Sequence, residues 1–318
     1  MRTQRGAVWS HMLMEREMNL NRARAVDRAE WYLPKKDLLS PKASSLFTLS
    51  YLDQSTQEFI DDSFSTSESI CLQMWYSLSS VILSMIFTKT NINGLLGRGG
   101  MFLFSTDQMR EFLQLPTEWT SKGAKLLDLG SGDGGVTKHL AELFEEVHVT
   151  EMSTMMQWRL QQKGYILEDA QNWHTAHSNY SLISVLNLLD RHFNPRLLLS
   201  QLHKKASESN CPVLLSLVLP IRPYVEFHPN GTSVRPDAYL DVAGRSLEEQ
   251  AGSLIEGEFL RAGFECVRWT KLPYLCEGDF NKPYYRLDDV LFLLRPIPIS
   301  TPNMSAVDNQ NIVPHQEL

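Results

Sequence analysis

LLDLGSGDGG, residues 126–135, is the stretch that decides the fold of this 318-residue chain. Its apolar first half predicts a short buried strand. The glycines at 130, 132 and 134 then predict a sharp turn in which the backbone can pass close to a ligand. A helix is predicted to begin at Val136. A strand, a glycine turn and a helix in this order open a crossover unit, with the turn at the carboxyl end of the strand, where parallel sheets bind ligands.

Strands and helices alternate from this point to about residue 295. Helices of about ten residues separate most of the predicted strands, which is typical of a mostly parallel sheet covered by helices. The last two strands have no helix between them and are predicted to pair antiparallel. The fold is therefore predicted to be α/β, with these strands: 125–129, 146–150, 165–167, 180–186, 213–219, 264–272 and 290–295.

The composition of the chain changes along its length and predicts four segments. Residues 1–45, rich in Arg, Lys and Ser, are expected to form a poorly ordered lead, and residues 46–116 a helical N-terminal extension that packs on the core. Residues 117–297 are expected to form the main domain. Residues 298–318 are polar and contain prolines, so they are predicted to be a loose tail.

Two helices of the predicted extension can be placed more closely. Residues 70–87 carry no charge, but the stretch contains several serines and is at the lower length limit for a membrane span. A packed helix is the favoured interpretation, and membrane contact stays open. Ser105 or Thr106 is predicted to cap a short helix that runs through Leu113.

Charge and cysteine usage exclude several classes of function. The formal net charge is −7 and no basic stripe is visible, which argues against nucleic acid as a partner. None of the four cysteines forms a C-x-x-C pair, so neither a zinc cluster nor a disulfide framework is predicted. His174 and His177 are three residues apart but have no third ligand nearby in the sequence, so no metal is expected.

The glycine spacing alone leaves two cofactor classes open, because Gly130, Gly132 and Gly135 also fit the dinucleotide pattern G-x-G-x-x-G. Asp133 would repel a pyrophosphate, whereas it would attract the sulfonium and ammonium of S-adenosylmethionine. Asp128, at the end of the strand, is expected either to orient the loop or to meet the cationic amino-acid group. These carboxylates favour S-adenosylmethionine; a purely structural turn is the remaining alternative.

Glu151 ends the next strand, where an acidic side chain can accept hydrogen bonds from both hydroxyls of a ribose. The alternative is an exposed carboxylate favoured by the dipole at the start of a helix. Met152, which follows it, is predicted to belong to the same cofactor site. The adenine is expected beyond the third strand, among residues 169–173, and Asn172 is predicted to bind it.

Longer stretches carry a more specific likeness: SYLDQ at 50–54, NINGLLGRG at 91–99, NLLDR at 187–191, LVLP at 217–220 and LPYLCEGD at 272–279. They resemble the DREV family, also called the methyltransferase-like protein nine family, over about residues 50–296. The resemblance implies a seven-stranded class I methyltransferase fold, Rossmann-like. It also implies S-adenosylmethionine-dependent methylation of the pros nitrogen of histidine, in protein segments that have two histidines one apart with a small residue between them.

The start of the chain departs from that family, whose members begin with an apolar, signal-like segment. The first 28 residues here contain no clear signal peptide. The compartment therefore stays open, and the resemblance is compatible with an intracellular, endoplasmic reticulum or mitochondrial location.

Three residues are predicted to act on the substrate. A neutral imidazole already holds a lone pair, so the enzyme must mainly control which nitrogen bears it. Asp190 is predicted to accept from the tele N–H and to stabilise the imidazolium that forms. Asn187 is expected to place its amide toward the same ring, and the resemblance puts both residues in the substrate-binding motif. Tyr274, in a lid between the closing strands, is expected to fix the second histidine or the ring plane.

Each of these residues also has an ordinary structural interpretation. Asp190 is a common type of helix cap, Asn187 can satisfy loop backbone groups, and Tyr274 can be a packing residue with a hydrated hydroxyl. At the level of function, a protein-histidine methyltransferase leads. The alternatives are a class I methyltransferase acting on a small molecule or another side chain, a non-catalytic binding module, and a nicotinamide dehydrogenase.

Overall fold

The computed structural model describes residues 2–69, 71–73, 75–76, 99–225, 227–229, 231 and 234–298. Most of the predicted helix over 70–87 lies outside these residues, as do residues 91–98 of one family motif and all of the predicted tail beyond residue 298. Within the described ranges, no helix is both long enough and apolar enough to cross a membrane.

One twisted sheet of eight strands organises the described part of the chain. The strands are β1 (Met101–Phe102), β2 (Lys125–Leu129), β3 (Glu146–Thr150), β4 (Ile166–Leu167), β5 (Leu182–Leu186), β6 (Val213–Val218), β7 (Phe264–Glu277) and β8 (Tyr284–Pro296). Their order is β1-β7-β8-β6-β5-β2-β3-β4. Strands β2 to β6 run parallel, and β7 and β8 pair antiparallel as predicted. The α/β, Rossmann-like prediction is confirmed, with β1 as a strand beyond the seven expected.

The strand order contains the feature that creates a binding site. The chain moves outward from β2 to β3 and β4, and then crosses back to place β5 on the other side of β2. Neighbouring connections therefore leave the sheet in opposite directions between β2 and β5. A crevice forms at such a switch point, outside the carboxyl ends of the strands.

Helices cover both faces of the sheet. They are α1 (Arg2–Ala25), α2 (Pro41–Leu46), α3 (Gln54–Glu68), α4 (Thr106–Phe112), α5 (Thr137–Ala141), α6 (Thr154–Gln162), α7 (Pro195–Ser209) and α8 (Leu247–Ser253). A π-helical turn, Leu254–Glu258, continues α8 into Phe259–Arg261. The predicted cap before α4 is confirmed: Ser105 accepts from the Gln108 N–H, and the Gln108 side chain accepts from the Ser105 N–H.

The core has two layers because neighbouring residues of a strand point to opposite faces of the sheet. Leu127 is fully buried in the layer under α7 and α8, and Leu126 is fully buried in the opposite layer, with α3 and α4. Burial of each such leucine contributes about 1.5–3 kcal/mol relative to its exposure. The same alternation repeats along β5 and β6, so these packed strands hold the loops at their ends in fixed positions.

The first 45 residues differ from the poorly ordered lead that the composition predicts. The Arg16 side chain donates to the carbonyl of Phe280 at 3.0 Å, and Leu20 is buried. Trp31 is 4% exposed and packs edge-on against the Tyr284 ring. The composition of the segment does not indicate this packing, because only a few of its residues contact β8 and the turn before it.

The position of Tyr274 also differs from the prediction. β7 continues through Tyr274 to Glu277 in unbroken pairing with β8, so Tyr274 lies on a strand and the predicted lid is wrong. The predicted strand ended at Leu272, one residue before a proline. Pro273 is tolerated because β1 pairs only with Leu275 and Cys276, which leaves Pro273 at an edge where no ladder partner needs its N–H.

Candidate active site

A cleft of about 1160 Å³ opens at the carboxyl ends of the central strands. Seven of the predicted site residues line it: Gly130, Gly132, Asp133, Glu151, Met152, Asn187 and Tyr274. Asp128 and Asp190 lie behind the lining and are buried. Asn172 is exposed, between Gln171 and Trp173, which do line the cleft. The topology thus brings residues that follow β2, β3 and β5, together with one residue of β7, to one place.

Asp128 organises the glycine loop from beneath. Its side chain accepts from the Ser184 hydroxyl at 2.6 Å and from the Thr137 hydroxyl at 2.7 Å, while the Ser131 hydroxyl donates to its carbonyl. Burial raises the pKa of Asp128 above its ordinary value, against the opposing effect of these hydrogen bonds. Of the two roles predicted for Asp128, the geometry supports orienting the loop, because the carboxyl is only 2% exposed.

The loop itself depends on left-handed backbone at its glycines. Gly130 has φ +70° and Gly132 has φ +55°. A Cβ on Gly130 would lie 3.0 Å from a methyl carbon of Leu188, whereas a Cβ on Gly132 would have no atom within 4 Å. Gly132 therefore faces open space in the cleft, where the backbone can approach a ligand without steric obstruction.

Two carboxylates beside this loop are held by backbone N–H groups. Glu151 accepts from Gly132 N–H at 3.0 Å and from Ser153 N–H at 2.8 Å, one bond to each oxygen. Asp133 accepts from Gly135 N–H at 2.8 Å, and its other oxygen is 3.9 Å from an Arg159 nitrogen. Carboxylate oxygens accept hydrogen bonds and attract cations, so this pair suits ligand hydroxyl or ammonium groups.

Asp190 is a buried carboxylate with an unused acceptor. Its side chain is about 5% exposed, and no described residue donates a hydrogen bond to its Oδ1 atom. Its Oδ2 atom lies 3.4 Å from Nε of Arg191. Burial raises the pKa of Asp190, and the Arg191 charge only partly opposes that rise. An unmade hydrogen bond at a buried group costs about 1–3 kcal/mol, so a donor that reached this atom would be favoured.

The helix-cap interpretation of Asp190 does not hold. The cap of α7 is Asn194, whose side-chain oxygen accepts from Leu197 N–H at 3.0 Å, and Pro195 fills the first position of the helix. The backbone carbonyl of Asp190 accepts from Tyr224 N–H at 2.9 Å. The residue is thus fixed by its main chain, and its side chain caps no described helix.

Asn187 has its amide turned into the sheet. Its backbone is left-handed, with φ +53°. Its Nδ2 donates to Asp289 at 2.6 Å, and its Oδ1 accepts from Val218 N–H at 3.1 Å. One Nδ2 hydrogen and one Oδ1 lone pair are used in bonds to β8 and β6. The predicted direct contact of this amide with a substrate ring is therefore limited to the second Nδ2 hydrogen and the second Oδ1 lone pair.

Tyr274 reaches the cleft from β7. Its hydroxyl donates to the Met101 sulfur, which belongs to β1. Burial raises the pKa of Tyr274 far above its ordinary value, so the phenol stays neutral. A neutral hydroxyl held at the cleft wall can donate or accept a hydrogen bond without carrying charge.

Two features of the site are absent from the sequence predictions. Asp289 is completely buried in β8, and burial together with the negative charge of Asp190 raises its pKa to about 8. His192 and Phe193 form one wall, with ring centroids 4.6 Å apart. The available signal for Asp289 was a carboxylate inside an apolar strand, in the stretch YYRLDDVLFLL at 284–294.

The sequence pattern of the DREV methyltransferase family matches residues 31–296. The chain belongs to this family. Membership makes it a methyltransferase that uses S-adenosylmethionine, which confirms the predicted cofactor and sets the nicotinamide dehydrogenase aside. Among the described residues, no group of three His, Cys, Asp or Glu side chains is arranged to hold a metal ion.

Several solved structures resemble this DREV-family chain. The magnesium protoporphyrin IX methyltransferase from Synechocystis PCC 6803 is 16% identical, with a TM-score of 0.37 over 60% of this chain and 81% of its own. The glycopeptide N-methyltransferase MtfA is 16% identical, with a TM-score of 0.37 over 61% and 87%. A TehB-like methyltransferase from Corynebacterium glutamicum is 12% identical, with a TM-score of 0.38 over 71% and 98%.

Proposed function

We propose that this DREV-family methyltransferase transfers a methyl group to the pros nitrogen of histidine in His-x-His segments of protein substrates. The observation that supports the proposal most directly is the Oδ1 atom of Asp190, a buried acceptor beside the cleft to which no described residue donates. An imidazole N–H is a donor that such an acceptor would bind.

The proposed cofactor site uses the residues of the glycine loop and the end of β3. When bound, S-adenosylmethionine supplies an electrophilic methyl group. Glu151 would hold the ribose hydroxyls, because both of its oxygens are already oriented by backbone N–H groups. Asp133 would attract the cationic amino-acid end, and Gly132 leaves room for it. Met152 and Asn172 remain predicted members of the same site.

The proposed substrate site controls the tautomer of the imidazole. Only one nitrogen of a neutral imidazole carries a lone pair, and the other carries the hydrogen. If the tele N–H donates to Asp190, the pros nitrogen is left with the lone pair and faces the methyl group. The ring becomes cationic once it is methylated, and the carboxylate of Asp190 then stabilises the product charge.

Asp190 suits an imidazole better than an amine. A neutral imidazole, with a pKa of about 6.5, is the main form at pH 7, whereas a lysine amine must first lose a proton. Asp190 therefore needs to orient the acceptor and does not need to act as a strong base. The competing function, methyl transfer to a small molecule or another side chain by the same fold, is separated from this one by experiment.

The test uses the whole enzyme, S-adenosylmethionine and a synthetic His-x-His peptide with alanine between the histidines. We expect one methyl group by mass spectrometry and its assignment to a pros nitrogen by NMR. Peptides in which either histidine is replaced with alanine serve as controls, as does a lysine-containing peptide. An enzyme that binds the cofactor by calorimetry but methylates no His-x-His peptide would contradict the proposal.

A further inference from the structure

We infer that Asp289 is a positioning residue of the active site, which holds the loop that begins at Asn187 through a hydrogen bond across the sheet. The inference rests on the proposed function, because the loop it holds carries Asp190. Asp289 lies on β8, more than a hundred positions after Asn187 in the sequence. Its Oδ2 atom is nevertheless 2.6 Å from Nδ2 of Asn187.

The direction of this hydrogen bond is fixed by the neighbouring strand. Asn187 Oδ1 accepts from Val218 N–H at 3.1 Å. If the amide were flipped, its NH₂ group would face that N–H, and two donors would meet. The Nδ2 group must therefore face Asp289, and the residue at 289 must accept.

Asp289 is built to accept from two sides. Its Oδ1 atom accepts from Leu217 N–H at 3.2 Å, while its Oδ2 atom accepts from Asn187. The side chain is 0% exposed, so water does not replace a lost partner. Asparagine at this position has the same size but only one acceptor oxygen, and one of the two donors would then face an NH₂ group.

The bond also fixes an unusual backbone conformation. Asn187 has φ +53°, in the left-handed region that residues other than glycine rarely adopt and that asparagine tolerates best. Backbone bonds from Asn187 N–H to the Ser216 carbonyl and hydroxyl, both at 3.1 Å, anchor the same residue. The side-chain clamp to Asp289 completes this anchoring, and the chain direction after Asn187 determines where Asp190 lies.

Asp288 provides a matched control. It is the neighbouring residue on the same strand, and its side chain is 38% exposed. It pairs with Arg286 at 2.9 Å and lies 3.7 Å from Lys271. Substitution of either aspartate by asparagine removes one potential charge from β8, but only Asp289→Asn disturbs the clamp.

The test is a double-mutant cycle on the whole enzyme with the His-x-His peptide. Misplacement of a reacting group by about 1 Å costs up to about 100-fold, so we expect Asp289→Asn to lower kcat by about 10- to 100-fold. The Kd of S-adenosylmethionine should change less than about twofold. Asn187→Ala should also lower kcat, and Asp289→Asn added to it should have no further effect, because both substitutions break one clamp.

Three outcomes would overturn the inference. A folded Asp289→Asn enzyme with unchanged kcat shows that the clamp is not needed. Multiplying effects in the double variant show that Asp289 acts independently of Asn187. An equal loss of kcat in Asp288→Asn shows a general effect of charge on β8.

A second readout separates this inference from the proposed function. Hydrogen exchange of residues 187–191 can be measured in the wild-type and Asp289→Asn enzymes without any substrate. We expect faster exchange there in the variant, with β2 and β3 unchanged. If the wild-type enzyme methylates no His-x-His peptide and this local change is still seen, the proposed function fails and the inference stands. Unchanged exchange contradicts the inference alone.

Discussion

The two halves of the cleft hold their carboxylates in different ways. In the half formed by the ends of β2 and β3, Glu151 and Asp133 accept from backbone N–H groups a few residues away or across one strand. In the half formed by β5 to β8, Asp190 keeps a buried acceptor atom and Asp289 is fully enclosed. In the first half, the buried carboxylate of Asp128 has a hydroxyl donor on each oxygen. In the second half, burial raises the pKa of Asp190 in the same way, but no described residue donates to its Oδ1 atom. A carboxylate with a raised pKa and an unused acceptor beside a cleft is typical of groups that act on a substrate.

This comparison predicts that substitutions in the two halves separate cofactor binding from methyl transfer. Substitutions in the β2–β3 half should lower the affinity for the cofactor and leave the peptide site intact. Substitutions in the β5–β8 half should lower methyl transfer to the peptide and leave cofactor affinity unchanged. A substitution that impairs both equally would indicate that the cleft works as a single unit.

The largest effect is expected for Asp190→Ala. Under the proposed function, removal of the carboxylate would abolish control of the tautomer and stabilisation of the imidazolium, and losses of about 100- to 10,000-fold are typical for such groups. We expect a fall of that size in kcat/KM for the peptide, with the Kd of S-adenosylmethionine changed less than about twofold. Steady-state kinetics and calorimetry measure the two quantities.

Asp190→Asn refines the same prediction. The amide keeps an oxygen that can accept the tele N–H but lacks the charge that stabilises the product. We expect intermediate activity, above that of Asp190→Ala. Asp237→Asn is the matched control, because its carboxylate is 57% exposed and contacts His228 near the cleft. Activity of Asp190→Ala close to that of wild type would show that the Oδ1 atom of Asp190 has no part in the reaction.

A smaller effect is expected for Gly132→Ala. Its left-handed φ costs a non-glycine residue about 1–2 kcal/mol, and the new methyl group would project into the cleft. We expect cofactor affinity to fall about tenfold, which corresponds to 1.4 kcal/mol, while kcat at saturating cofactor changes little.

Gly123→Ala is the control for backbone strain. Gly123 also has a left-handed backbone, with φ +74°, and a Cβ there would meet no atom within 4 Å, but it does not line the cleft. Both variants should lose similar stability in thermal unfolding. Only Gly132→Ala should lose cofactor affinity, and equal affinities in the two variants would place the ligand elsewhere.

The difference between the two halves also explains which parts of the fold and the site could be predicted from the sequence. Residues 126–135 specify a strand, a turn and a helix through neighbours in the chain, so the parallel sheet and its cofactor class follow from local pattern. The cap at Ser105 is local for the same reason. Glu151 was predicted from its position at the end of the next strand, and in the structure it accepts from the N–H of Gly132 in that loop.

The β5–β8 half could not be predicted in this way. Asn187 contacts residue 218 on β6 and residue 289 on β8, and these contacts exist only once the sheet has formed. The sequence therefore suggested that its amide was free for substrate. The strand β7 was likewise predicted to end before Tyr274, because the local sequence around Pro273 does not reveal that this part of the strand lies at an edge. Asp289 was missed because its partners are distant in the chain.

A different kind of effect concerns the dependence of stability on pH. Burial and the charge of Asp190 raise the pKa of Asp289 to about 8 in the folded protein, whereas an unfolded aspartate titrates near about 3.9. The folded state thus binds the proton more tightly. The stability linked to this proton is fully present below about pH 4 and is lost progressively as the pH rises to about 8.

Asp289→Asn removes this titration. Loss of the clamp lowers the stability of the variant by an amount that does not depend on pH, so the informative quantity is the slope. We expect the melting temperature of the wild-type enzyme to fall more than that of the variant between about pH 5 and pH 8.5. Asp288→Asn should follow the wild-type slope. Parallel slopes for Asp289→Asn and wild type would mean that burial does not raise the pKa of Asp289. The contrast between the two halves of the cleft would then rest on Asp190 alone.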